Sequence, residues 1–243
     1  MGKVEYSQWD SEHFGIKIGR YVLGSLQEVP NDVEQAKMEG YDLLITRVPT
    51  EEVNVVNALE DNCFRIKDTL VRYKIDLKDI TPLKHEGKVQ IRMAEKHDLN
   101  AIKTIARHTF KEYAGHFHND KLLGRKKCDD LYVKWSENSL LDRNIAQAMF
   151  IAEEREKILG FATMRHVSKD ESEGVLFATS PQARERGIYS EFIKEAINWS
   201  KRNKYKHLLL GTNINNYIIK NIWTGFGANI YASYYTMHLW MDD

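Results

Sequence analysis

The 243-residue sequence predicts an α/β fold in two segments, a smaller one over 1–84 and a larger one over 85–243. Three observations carry this. Strand-like alternation and helix-like spacing take turns along the whole chain. Periodicity lapses between Lys78 and Lys88, where Pro82 and Gly87 interrupt a charged stretch, as at a domain seam. The stretch 58–77 also repeats in outline over 221–240, as a helix end, a turn and a long alternating strand.

The elements follow in order. Ile16–Gly24 reads as a strand, Asn31–Glu39 as a short helix and Tyr41–Val48 as a strand. Thr50 has the character of an N-cap, with Glu51 and Glu52 in the first turn of a helix to about Asp61. Val71, Tyr73, Ile75 and Leu77 alternate as in a half-buried strand. The second segment opens with strand Val89–Met93. A helix capped by Asp98 follows, with Ile102, Ile105, Ala106 and Phe110 at helical spacing, and then a helix over about 129–139. Strands 148–153 and 158–166 flank the charged turn 154–157, and a strand over 174–179 comes next. Helix 187–203 presents Ile188, Phe192, Ile193, Ala196, Ile197 and Trp199 largely on one face. Strand 207–212, helix 216–224 and strand 231–240 complete the chain.

Composition narrows the function. Hydrophobic residues make up 42% and charged residues 29%, values of a soluble globular chain rather than a disordered one. Lys+Arg and Asp+Glu are both 35, so the net charge is zero, and the basic surplus of a nucleic-acid-tracking protein is missing. Cys63 and Cys128 form no CxxC and no zinc-like spacing, so a reduced cytoplasmic protein without a metal is expected. The first residues, Met1–Glu5, hold no apolar signal core. No apolar run approaches the roughly 18–20 residues that span a bilayer, so no membrane association is expected.

The segment Thr179–Ser190 joins a strand to a helix. Successive backbone N–H groups at such a junction, together with the helix dipole, suit a pyrophosphate. Gly187 lets the backbone approach it, and Arg184 and Arg186 add charge. On physics alone this is a generic anion site or a tight turn with a charged rim. Neither GxGxxG nor GxxxxGK[ST] is present, which disfavours NAD and nucleoside triphosphates.

Arg184-Glu185-Arg186-Gly187-Ile188-Tyr189 resembles the [Gln/Arg]-x-x-Gly-x-[Gly/Ala] loop of the GNAT superfamily of acyl-CoA N-acyltransferases. Asn216-x-x-Ile219-x-x-Ile222-Trp223, followed by Gly227, is similar to that superfamily's Asn-x-x-Ala-x-x-Leu-Tyr…Gly-Phe element, and the likeness covers 89–240. It implies a mixed, mostly antiparallel central sheet flanked by helices, preceded here by a degenerate GNAT-like α/β domain that walls the acceptor side. It also implies acetyl-CoA as cosubstrate, held by Phe177, Ala178, Thr179, Arg184, Glu185, Arg186, Gly187, Ile188, Tyr189, Ser190, Asn216 and Trp223. Three positions depart from the pattern, the first being Ala228, which follows Gly227 where Phe is usual. Tyr189 stands where a small residue is usual, and Trp223 replaces the tyrosine that many members use as general acid. An indole N–H donates a hydrogen bond but gives up no proton. Tyr217 or Tyr235 could take over, and a thiolate with pKa near ~8.5 needs modest help.

Trp9-Asp10-Ser11-Glu12-His13-Phe14-Gly15 resembles the opening of a narrower family, the TDP-4-amino-4,6-dideoxygalactose (TDP-fucosamine) N-acetyltransferases. Gly115–Asp120 with Leu131-Tyr132-x-x-Trp135 is similar to a second block of that family, although Gly115 stands where Arg is frequent. The resemblance implies a nucleotide-linked amino sugar as acceptor, contacted by His116, Phe117, His118, Asp120 and Trp135. Direct attack of the amine in a ternary complex is expected, with no covalent enzyme intermediate. Glu153 or His118 would act as base, Tyr217 and Trp223 would lie near the leaving group, and a strand N–H at 174–179, where it parts from 158–166, would polarise the carbonyl. An amino acid, polyamine or protein N-terminus stays open as acceptor, as do a non-catalytic acyl-CoA sensor and a homodimer.

Overall fold

The structure, a computed structural model, describes residues 2–86, 89–111 and 113–241; Gly87 and Lys88 of the expected seam lie outside the described residues. The order is β1 (Lys3–Tyr6), α1 (Gln8–Phe14), β2 (Ile18–Val22), α2 (Val29–Met38), β3 (Leu43–Pro49), α3 (Val53–Asp61) and β4 (Arg65–Asp76). Then come β5 (Gln90–Met93), α4 (Leu99–Phe110), α5 (Arg125–Leu141), β6 (Ala148–Glu154), β7 (Lys157–His166) and β8 (Glu171–Thr179). The chain closes with α6 (Ile188–Arg202), β9 (His207–Asn213), α7 (Tyr217–Gly225) and β10 (Asn229–Trp240). Among the described residues no helix is long and apolar enough to cross a membrane.

Two compact units form, and both are discontinuous in sequence: 1–71 with 114–128 and 232–243, and 72–113 with 129–231. They do not coincide with a cut at residue 84. In the first unit the strands run β1-β2-β3-β10-β4. Pairing is antiparallel for β1/β2 and β3/β10 and parallel for β2/β3. Its core gathers Tyr21, Leu44, Val48, Leu59, Phe64, Met237 and Leu239. In the second unit β9, β8, β7, β6 and β5 are neighbours in that order, antiparallel except for the parallel pair β8/β9.

Several local expectations change. The N-terminal helix α1 and strand β1 carry too few periodic residues to be read. They form because Ser11 Oγ takes the Ile18 N–H at 2.9 Å and Gly15, at φ 70°, caps α1 by donating to Ser11 O. Thr50 does not cap a helix. Its Oγ1 lies 2.5 Å from Ser233 Oγ, and α3 starts at Val53 without a side-chain cap. Asp98 stands at the N-cap position of α4, as expected, but its carboxylate accepts from Glu95 N–H at 2.8 Å and so closes the short 3₁₀ turn Lys96–Asp98 instead of bonding into α4.

The internal echo is present but shifted by one residue. α3 and α7 both have 9 residues, and β4 and β10 both have 12, with starts at Val53 and Tyr217, and at Arg65 and Asn229. The caps match: Phe64 N donates to Leu59 O and Ala228 N to Trp223 O, with Cys63 (φ 66°) and Gly227 (φ 81°) in the left-handed region.

The stretch expected to be a loose seam is strapped to α6. Leu83 and Asn198 exchange two hydrogen bonds of 2.8 Å, and His85 bridges Glu191 at 2.7 Å and Glu195 at 3.1 Å.

One irregularity shapes the second unit. Between the pairs Ala162–Phe177 and Met164–Gly174, two residues of β8 oppose one of β7. Thr163 Oγ1 completes this β-bulge by accepting the Leu176 N–H at 2.9 Å. The parallel pairing of β8 with β9 stops at Gly174–Leu210. Replacing Thr163 with Val leaves the buried Leu176 N–H without an acceptor, which costs about 1–3 kcal/mol. A lowered urea midpoint with unchanged slope is the expected outcome, accompanied by weaker acetyl-CoA binding in calorimetry.

Candidate functional site

The bulge sets the edge of the site. Ser180 N–H donates to Leu159 O at 2.8 Å, and Leu176 N–H points to Thr163, so these groups face β7. Backbone direction alternates along a strand. The N–H groups of Phe177 and Thr179 therefore face the other side, where β9 has already left. The expected opening thus lies between β8 and β9; the pairing of β8 with β7 continues through Phe161–Ala178 and Gly160–Thr179. The correction follows from the bulge, which bends β8 toward β7 and away from its parallel neighbour. Thr179 Oγ1 is buried there without a hydrogen-bond partner, and the Thr179 carbonyl is held by Thr109 Oγ1 at 3.1 Å.

After a 3₁₀ turn over Pro181–Ala183, Glu185 and Gly187 both adopt left-handed backbone, at φ 63° and 73°. The first bond inside α6 runs from Glu191 N to Gly187 O at 3.2 Å, so the N–H groups of Ile188, Tyr189 and Ser190 have no helical acceptor. A Cβ on Gly187 would meet nothing within 4 Å, so the glycine is required by its backbone angle and the space beside it is open. Arg184 is exposed. Arg186 is bound by Glu154 at 2.8 Å, which removes it as a free cation. This array fits a pyrophosphate, and the unpaired β8 edge fits an extended amide-bearing chain.

The side chains around it are aromatic. The Tyr189 ring packs against Phe177 at 5.6 Å, Trp223 donates from Nε1 to Tyr189 Oη at 3.2 Å, and Tyr73 meets Trp223 edge-on at 5.4 Å. Burial pushes the Tyr189 phenol above its ordinary range against the opposing effect of the Trp223 N–H. Ile188 and Ala178 are buried and offer backbone only. Asn216 heads α7 and donates to Thr212 Oγ1 at 3.0 Å. Tyr217 is 63% exposed, with Lys220 over its ring, so it turns away from Trp223's buried setting. Glu153 is engaged by Arg92 Nε at 2.6 Å, and the same guanidinium grips Asp98 at 2.8 and 2.9 Å. That fork commits the Glu153 carboxylate to structure rather than leaving it as a base.

The expected acceptor residues divide between the two units. Trp135 lies half-buried on α5 beside Tyr132 in the second. In the first unit, His116, Phe117 and Asp120 are buried at 8%, 5% and 3% exposure. They join a network absent from the sequence reading. His116 Nδ1 and His238 Nε2 lie 2.9 Å apart, His238 Nδ1 meets Asp120 Oδ2 at 2.6 Å, and Trp240 Nε1 donates to that oxygen at 3.0 Å. Lys67 stands 3.4 Å away. Burial raises the Asp120 carboxyl, but the bonds from His238 and Trp240 with the Lys67 charge outweigh it and hold it at about 2. His116 is pushed well below the ordinary imidazole range by burial and by neighbouring His238, Arg20 and Arg47. Asp120, His238, Trp240, Arg65, Lys67 and Lys121 help line a cleft of about 490 Å³, whereas His116 and Phe117 do not line it. His118 is half-buried. The only signal for His238 and Trp240 was their shared strand face at i and i+2. Tyr235 belongs to this first unit. Cys63 and Cys128 form no disulfide, the Cys128 thiol donating to Phe117 O at 3.3 Å, and among the described residues no group of His, Cys, Asp or Glu is placed to hold a metal.

Residues 103–227 match the acetyltransferase (GNAT) family, half of the chain and the whole of the loop-to-helix site. The chain belongs to that family. It is an acetyltransferase, and its fold implies the use of acetyl-CoA. It is 22% identical over 208 residues to the spore coat polysaccharide biosynthesis protein SpsD of Bacillus subtilis (strain 168), covering 84% of this chain and 68% of that protein. A GCN5-related N-acetyltransferase from Sphaerobacter thermophilus superposes with TM-score 0.68 at 10% identity, over 99% of this chain and 76% of that one. A GCN5-related glucosamine N-acetyltransferase region of a fungal multi-domain GH3 β-N-acetylglucosaminidase superposes at 0.60 with 13% identity, over 98% of this chain and 31% of that one.

Two outcomes follow. Gly187→Ala forces a Cβ into left-handed backbone at about 1–2 kcal/mol, and calorimetry should show acetyl-CoA affinity reduced about tenfold as the N–H array shifts. Burial keeps His116 and His238 neutral in the folded chain, so below the ordinary value of 6.5 the unfolded chain binds more protons. Their contribution to stability is complete above that value and is lost as pH falls through it. The urea midpoint should drop between about pH 7 and 5, and His116→Gln should flatten that drop.

Proposed function

We propose that this acetyltransferase transfers acetyl from acetyl-CoA to the amine of a nucleotide-linked amino sugar, by direct attack in a ternary complex. The donor half rests on one observation, the unpaired β8 edge of Phe177 and Thr179 leading to the free N–H groups of Ile188, Tyr189 and Ser190. An acetyl carbonyl bound at that edge is polarised by a strand N–H that needs no reorganisation during reaction. Orientation of amine and thioester supplies much of the rate.

The acceptor class is supported by chemistry and by kinship. SpsD is a polysaccharide biosynthesis protein, and the fungal region is a glucosamine N-acetyltransferase. The cleft of the first unit combines Arg65, Lys67 and Lys121 with the Trp240 ring, a set that suits phosphates and a base or sugar face. Asp120 and His118 are the proposed acceptor contacts of the first unit, with Asp120 held by His238, to which His116 is bonded in turn; Trp135 is proposed as a separate contact in the second unit. A water takes the ammonium proton.

The test is a panel of amino-sugar nucleotides incubated with acetyl-CoA and read by mass spectrometry. An acetylated sugar nucleotide is the expected product. Acetylated amino acids, polyamines or peptides with no sugar product would replace the acceptor class. Thermal stabilisation by acetyl-CoA with no product from any amine would instead mark a sensor.

A further inference from the structure

Breaking a thioester by an amine expels a thiolate, and a group that delivers a proton as the C–S bond opens prevents its return. Trp223 is 3% exposed in the second unit and is a donor that keeps its proton. What its indole does instead is hold a phenol, since Nε1 lies 3.2 Å from Tyr189 Oη. Because the indole only donates, the phenol oxygen must be the acceptor in this bond. The phenol's own proton is then directed elsewhere, and among the described residues no acceptor within the chain takes it. The ring that carries it stands against Phe177, at the strand edge that β9 leaves open.

We propose that Tyr189 is the proton donor to the departing thiolate and that Trp223 is a positioning residue that orients its hydroxyl. Two of the departures from the family pattern then explain each other. Position 223 of α7 carries Trp where the pattern has Tyr, the first turn of α6 carries Tyr189 where the pattern has a small residue, and the two side chains meet. The assignment rests on the acetyl-CoA reading above but not on the acceptor's identity, because thiolate departure is common to every acceptor.

The step balances as follows. The amine nitrogen attacks the thioester carbon and a C–N bond forms. The C–S bond then breaks with its electron pair passing to sulfur, and the phenolic proton moves from Tyr189 Oη to sulfur, giving the free thiol. The proton shed by the amine returns through water to the phenolate. Burial keeps Tyr189 protonated between turnovers, while the Trp223 N–H favours the transient phenolate and so lowers the cost of releasing the proton.

The experiment uses the full chain with acetyl-CoA, hydroxylamine as surrogate amine, thiol release above the uncatalysed rate as readout, and calorimetry for acetyl-CoA binding. Tyr189→Phe should lower kcat about 10–100-fold, with acetyl-CoA affinity within about twofold. Trp223→Phe keeps the hydroxyl but removes its orienting bond, so it should lower kcat less than Tyr189→Phe does while leaving acetyl-CoA affinity within about twofold. Tyr189→Phe combined with Trp223→Tyr returns a hydroxyl from α7 and should recover about tenfold over the single variant. Three results would overturn the proposal: kcat of Tyr189→Phe within twofold of wild type, an acetyl-CoA affinity changed in step with kcat (a tenfold gain would make Tyr189 a plug), or no recovery in the double variant. Wild-type protein that binds acetyl-CoA without releasing thiol also overturns it. Wild-type protein that fails to bind acetyl-CoA sinks the donor reading itself, before any variant is compared.

Discussion

A single hydroxyl sets the geometry of the donor half. Thr163 Oγ1 takes the Leu176 N–H where β8 carries one residue more than β7, and so lets the bulge exist without a buried orphan donor. With the bulge in place, β8 follows β7 and its parallel pairing with β9 ends at Gly174. Strand backbone that ends a ladder early is ordinarily a liability. Here it leaves half-buried peptide groups at Phe177 and Thr179 open to a partner from outside the chain, and the unpartnered Thr179 Oγ1 lies on the same stretch.

The loop after β8 extends that logic from strand to helix. Left-handed backbone at Glu185 and Gly187 turns the chain so that successive N–H groups converge before α6 begins. A non-glycine residue at such an angle carries strain of order 1–3 kcal/mol, and it persists here at the point where a ligand would bind. The aromatic side chains then close around the site. Phe177, Tyr189 and Trp223 come from a strand and two helices, and the direction of their one hydrogen bond is dictated by chemistry because indole nitrogen cannot accept.

In the first unit the organising feature is a buried charge. Asp120 is 3% exposed, and a carboxylate so placed is tolerated only with paired charge and satisfied oxygens. His238, Trp240 and Lys67 supply these, and the His116 amide is fixed in turn by Asp68 at 2.9 Å. The segment 114–120 is thereby tied to β10 and β4 by polar bonds rather than by apolar packing alone. The N-terminal motif has a similar role, since Asp10 holds Arg20 and Ser11 holds the Ile18 amide.

The strands and helices from Asn31 onward were legible because each presents its own period. The donor loop was legible because its residues are consecutive and its chemistry is local. One boundary moved where a side chain found a distant partner, as Thr50 left its helix for Ser233, whereas Asp98 keeps the N-cap position of α4 although its carboxylate turns back to Glu95 and Arg92. The echo between α3–β4 and α7–β10 was visible in outline, but its register was set by the two left-handed caps at Cys63 and Gly227. By itself, then, the sequence determined the α/β class, the strand-to-helix loop suited to an anion and an indole rather than a phenol at position 223. Tertiary structure alone decided that Tyr189 reaches Trp223, that β8 parts from β9 and that Asp120 closes on His238. Each of these joins residues far apart in the chain, and local periodicity carries no record of such pairings.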